Sequence, residues 1–229
     1  MVNPWLALPS TPPYVLPQDR AAIDEFNNKL PLSSLCRFDI EAVIPEPFVG
    51  AVTTAPVVIL QLNPGSDPTN ALSHAEPDFR AALLANLRHE PTDWPFYFVD
   101  PRFRQAHPGG RWWINKTRKL AEEIRIEQLA RRLAVVEWFP YKSQRYKIGC
   151  AVPSQEYGFS LVSSAIDRGA LIVVSRSRAL WEKSVPALRN YRRRLTLSSV
   201  QNVALTPNNL KYDELKTAAA WALLIEALT

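Results

Sequence analysis

Four short apolar runs, at 57–60, 133–136, 171–174 and 200–205, alternate with stretches whose apolar residues recur at helical spacing. That alternation constrains the fold more than any other feature of the chain. Val57, Val58 and Ile59 are β-branched and follow one another without polar interruption, as in a strand buried on both faces. Helical patterns cover 18–30, 78–89, 113–132, 155–168, 177–190 and 211–228, and Gly169 stands where a helix C-cap is expected. Strands separated by helices need right-handed crossovers, which place helices on both faces of a parallel sheet. The expectation is therefore a three-layer α/β/α sandwich around a central four-stranded, mostly parallel sheet.

The chain of 229 residues suits a single domain over 1–229. Five prolines within 1–17 mark an extended N-terminal arm that cannot be helical throughout. Residues 32–54 read as irregular structure with one short strand. In the long break at 91–110, Trp94, Phe96, Tyr97 and Phe98 are expected to pack against the body.

Apolar residues make up 47% of the chain, enough for a core that needs no disulfide or metal. Cys36 and Cys150 cannot supply a four-cysteine zinc or iron–sulfur site and read as packing residues. His74, His89 and His107 show no metal-ligand spacing and receive no role. Asp67 and Asp78 read as turn and helix-start residues. No stretch approaches the ~20 apolar residues of a membrane span, and the start Met-Val-Asn-Pro-Trp carries no leader. The expectation is a cytoplasmic monomer with no cofactor, metal or membrane partner.

A net charge of +5 is mild, but its distribution is not even. Arg189, Arg192, Arg193 and Arg194 surround Tyr191, while Lys142, Arg145 and Lys147 alternate with Tyr141 and Tyr146. Basic residues interleaved with aromatics suit a polyanion whose bases stack, and equally a solvated helix end and a polar loop.

The strand ends carry the chemistry. They read Asn63-Pro64-Gly65, Glu137-Trp138-Phe139-Pro140-Tyr141 and Thr206-Pro207-Asn208-Asn209-Leu210. In a parallel sheet these ends share one edge, the edge where open α/β sheets hold ligands. An amide, a carboxylate, aromatic faces and a polar loop together fit a planar, hydrogen-bonding ligand.

These segments resemble the uracil-DNA glycosylase superfamily over about 57–228. Leu62-Asn63-Pro64-Gly65 is similar to the Gly-x-Asn-Pro-Gly motif of its mismatch-specific and single-strand-selective branches. Thr206-Pro207-Asn208-Asn209-Leu210 is similar to the second motif, His-Pro-Ser-Pro-Leu or Asn-Pro-Ser-Gly-Leu. The resemblance implies that Asn63 positions the hydrolytic water, Thr206 stabilises the departing base and Leu210 is a wedge in the duplex. It further implies base contacts from Gln61, Glu137, Phe139, Tyr141 and Asn208, with Phe139 and Tyr141 stacking. DNA contacts fall to Asn209, Lys142, Arg145, Arg192, Arg193 and Arg194.

Two departures matter. Thr206 cannot carry charge, and Gln61-Leu62 replaces the usual glycine. Glu137 stands where relatives place an Asn that reads the pyrimidine edge; an ionised carboxylate there would accept from the N4 amine of a cytosine-type base. The leading expectation is a DNA glycosylase that flips a modified cytosine-type base from single- or double-stranded DNA and hydrolyses its N-glycosidic bond. The alternatives are a uracil or mismatched-thymine repair glycosylase, a non-catalytic nucleic-acid-binding module of the same fold, and a hydrolase of free nucleosides or nucleotides.

Overall fold

A computed structural model of the chain describes residues 1–199, 201–212, 215, 216 and 218–229, with backbone alone for 215 and 216. Among these, seven strands form one sheet: β1 (Phe48–Val49), β2 (Val57–Gln61), β3 (Leu133–Glu137), β4 (Leu171–Val174), β5 (Arg194–Leu197), β6 (Leu210–Tyr212) and β7 (Leu215–Lys216). Their order is β1-β3-β2-β4-β5-β6-β7. β3, β2, β4 and β5 run parallel; β1, β6 and β7 pair antiparallel at the margins. All five residues of β2 are buried, so both faces of the sheet centre are covered. Each of its large aliphatic side chains contributes about 1.5–3 kcal/mol on burial.

The helices are α1 (Arg20–Asn28), α2 (Asn70–Ala75), α3 (Pro77–Leu87), α4 (Pro108–Ala121), α5 (Ile126–Arg132), α6 (Gln155–Asp167), α7 (Arg178–Ser184) and α8 (Ala218–Leu228). None is long and apolar enough to cross a membrane. Gly169 caps α6 with φ +79°, the left-handed conformation that glycine adopts without steric cost.

Several expected elements differ. The helix expected at 113–132 is two helices, because Arg125 is extended and breaks the run. The one expected at 177–190 stops at Ser184, since Pro186 forces Val185 out of helical geometry. The strand expected at 200–205 is displaced to 194–197; residues 201–205 form no strand, and Val200 lies outside the described residues. Lys211 and Tyr212 belong to β6, so the last helix starts at Ala218; residues 213, 214 and 217 of its expected span lie outside the described residues. The sheet thus has three strands beyond the expected four.

The proline-rich arm is docked rather than loose. Trp5, Val15 and Leu16 are buried, and the Leu16 amide donates to Tyr141 Oη at 3.1 Å. In the break at 91–110, Phe96, Tyr97 and Phe98 are buried in the core as expected.

Chain order fixes where a ligand can enter. The connection from β2 leads to β3 on one side, and the next connection crosses back to β4 on the other. Such a reversal opens a crevice at the carboxyl ends of the strands.

A candidate active site at the carboxyl edge of the sheet

The register places Gln61 opposite Glu137 where β2 and β3 end. Pairing continues past both strands, with Trp138 N donating to Gln61 O at 3.2 Å and Phe139 N to Leu62 O at 2.8 Å. Pro140 has no N–H to offer. The two loops rejoin where Ser66 N donates to Ser143 O at 3.1 Å and Gly65 bridges Ser143. This lacing brings Asn63 and Ser143 together.

Asn63 is half-buried, and its Nδ2 donates to Ser143 Oγ at 3.0 Å and to Pro64 O at 3.2 Å. Ser143 spends its own proton on Arg145 O at 3.1 Å, so its oxygen must accept from Asn63. That chain of donors fixes the amide orientation. Oδ1 accepts nothing from the described residues and is the end left for a water.

Glu137 is half-buried, but its Oε2 is sealed from solvent with no hydrogen-bond partner. Burial raises its pKa to about 8, against the opposing pull of Lys142 and Arg176 and with a push from Glu46. At neutral pH the carboxyl is protonated. A protonated carboxyl can donate a hydrogen bond as well as accept one, which removes the reason to expect an ionised reader selective for cytosine.

Beside it lies a buried ionic group. Lys142 Nζ is 2.7 Å from Glu46 Oε2, and His74 Nε2 is 3.3 Å from Glu46 Oε1. The Ile44 amide donates to His74 Nδ1 at 3.0 Å, which leaves the proton of a neutral ring on Nε2, facing Glu46. Burial alone would raise Glu46, but Lys142 and His74 together hold it down at about 2. Burial lowers the pKa of His74 despite Glu46. Two carboxyl groups of one edge are thus pushed to opposite sides of neutrality, the arrangement that separates an acid from a fixed anion. Arg176, just past β4, completes the edge; its Nε is sealed and without a partner among the described residues.

The other expected site residues divide sharply. Thr206 and Asn208 stand at the carboxyl end of β5, because Leu210 pairs with Leu197. This is the right edge, two strands from β2, or roughly 10 Å. Thr206 is half-buried with a hydroxyl that makes no hydrogen bond among the described residues, and Asn208 is exposed. Arg145 is exposed beside the Ser143 loop. Gln61 is buried at the strand end.

Six expectations are corrected. Leu210 is fully buried in β6 and cannot act as a wedge. Phe139 is fully buried and stacked on Phe38 at 4.5 Å, so no base can lie on that face. Tyr141 is equally buried, and its hydroxyl donates to Asp19 at 2.7 Å. Lys142 is spent on Glu46 rather than on phosphate. Asn209 ties down the preceding loop, donating to Asn202 O and Ala204 O and accepting from Ser199 N. Arg194 is buried in β5, where it pairs with Glu182 and the Leu188 carbonyl. Arg192 and Arg193 are exposed, but at the amino end of β5, the opposite edge of the sheet.

Sequence patterning does not single out Glu46, Ser143 or Arg176, and it gives His74 no role. Glu46 did carry a signal, as the lone charge in the apolar stretch 43–49. Among the described residues no group of three or more His, Cys, Asp or Glu is placed to hold a metal ion. No family model, curated protein or solved structure matches the chain.

Proposed function

We propose that this chain is an N-glycosyl hydrolase working at the carboxyl edge of its sheet. The observation that carries the reading is the pairing of an oriented amide, Asn63, with a carboxyl kept protonated at neutral pH, Glu137, on adjoining strand ends. Asn63 Oδ1 holds a water over the sugar C1′. The bond from C1′ to the base nitrogen breaks with its electron pair leaving on the base, and Glu137 gives the base its proton. Water adds to the oxocarbenium-like C1′ and loses a proton to solvent, from which Glu137 is reprotonated. In this reading Thr206, two strands away, donates one hydrogen bond to the departing base.

The substrate is a nucleotide whose base is already unpaired, in a single strand or free. Burial of Leu210, Phe139 and Tyr141 supports that choice, because the groups that would open a duplex and stack the base are committed to the core. The test is release of free base from single-stranded and duplex oligonucleotides carrying uracil, cytosine and modified cytosine, beside the corresponding nucleosides and nucleotides. Release from single strands or free nucleotides, lost in Asn63→Ala, supports the reading. Release from none of them leaves a nucleic-acid-binding module of the same fold.

A further inference from the structure

The arginines removed from the carboxyl edge pose a separate question. A cleft of about 300 Å³ opens at the amino edge of the sheet, lined by Arg132, Arg168, Arg193 and Glu226 and by the chain around Pro56 and Gly169. Arg132, Arg168, Arg193 and Pro56 precede β3, β4, β5 and β2, so all four parallel strands begin at its wall, and Glu226 reaches it from α8. We propose that this cleft is a phosphate-binding site.

Three guanidinium groups face one carboxylate there, an excess of two positive charges that matches a phosphate near its dianionic form. Two of the arginines are anchored by hydrogen bonds. Arg168 Nη2 donates to the carbonyls of Val52 at 2.8 Å and Ala55 at 3.1 Å, and Arg132 Nη2 to Ala227 O at 3.2 Å. These bonds satisfy carbonyls of the turn before β2 and of the last turn of α8, a structural task that uses one nitrogen of each fork. Donors are left over. Arg132 Nε is sealed from solvent with no partner among the described residues, which leaves one guanidinium donor unsatisfied. Arg193 is exposed, and its side chain makes no hydrogen bond among the described residues. Guanidinium groups offer paired N–H donors that suit phosphate oxygens, and a cleft this size admits a phosphate with part of its sugar.

The length of β2 sets the two edges about 15 Å apart. One nucleotide cannot reach both, so the site does not depend on the chemistry proposed for Asn63. The phosphate belongs either to a free nucleotide or to a nucleic-acid backbone passing behind the sheet.

The test is calorimetric binding of inorganic phosphate, a nucleoside monophosphate and a single-stranded oligonucleotide at matched ionic strength. Arg193→Gln is the variant of choice because the exposed side chain supports no packing; a thermal melt confirms that it folds. Phosphate binding should weaken roughly ten- to hundredfold in Arg193→Gln, as for the loss of one charge-assisted hydrogen bond. It should persist in Asn63→Ala. If Arg193→Gln also weakens the oligonucleotide and flattens its salt dependence, the backbone is the source; if only the small phosphates are affected, a free nucleotide is. Absence of phosphate binding by the wild-type chain, or equal affinity in Arg193→Gln, would overturn the proposal and reduce these arginines to helix caps.

Discussion

Asn63 and Ser143 stand 80 residues apart in the chain and 3.0 Å apart in the fold, and the serine decides which end of the asparagine amide faces outward. Neither residue contributes much packing. Asn63→Ala should abolish base release at a stability cost of about 0.5–1.5 kcal/mol, the worth of an ordinary hydrogen bond. Ser143→Ala frees the amide to rotate and should lower kcat while leaving KM nearly unchanged. Steady-state kinetics beside a thermal melt checks both, and an undiminished kcat in Ser143→Ala would mean that the anchor is dispensable.

Glu137 should make both activity and stability depend on pH. Between the ordinary 4.5 and about 8, the folded chain keeps a proton that the unfolded chain has released. Stability therefore falls as pH rises through that window. Glu137→Gln removes the slope, so the variant should melt above wild type at pH 9 and close to it at pH 4. Base release by the wild type should decline above pH 8 as the acid ionises. In the variant that decline disappears and the rate drops by roughly 10²–10⁴, because an amide donates a hydrogen bond without giving up a proton.

Lys142 should matter to folding rather than to nucleic-acid affinity. Lys142→Met leaves the Glu46 carboxylate buried beside a neutral His74, a loss of about 3–5 kcal/mol. Glu46→Gln combined with Lys142→Met should recover much of it, since no charge then remains uncompensated. Because Glu46 is held at about 2 when folded, its contribution is present above pH 4.5 and lost as pH falls toward 2. Urea melts of wild type and both variants at pH 7 and pH 3 measure the pair directly.

Leu210→Ala should cost about 2–5 kcal/mol as a core truncation. The midpoint of denaturant unfolding reports it. An unchanged midpoint combined with weakened duplex binding would restore the wedge.

What was legible in the sequence was local. Val57 to Leu60 read as a buried strand, Gly169 as a helix cap and Asn63-Pro64-Gly65 as the exit at the carboxyl edge, and the fold has all three. Where local rules competed, they misled. Pro186 and Arg125 broke helices whose apolar spacing ran on unchanged, and Arg194 disguised the start of β5 as part of a surface basic cluster.

The fate of each polar and aromatic side chain was decided by tertiary structure. Spacing along a chain says which residues share a strand end, and the sequence by itself thus determined the parallel arrangement and the edge that Asn63 and Glu137 share. It does not say which partner across the fold consumes a hydrogen bond or covers a ring. Tyr141 met Asp19, Phe139 met Phe38 and Lys142 met Glu46, each through contacts between segments far apart in sequence. Those pairings withdrew three residues from the surface. Partial burial then reversed the charge state expected of Glu137, because a carboxyl with one oxygen sealed from solvent and without a hydrogen-bond donor holds its proton, and only the folded surroundings determine that.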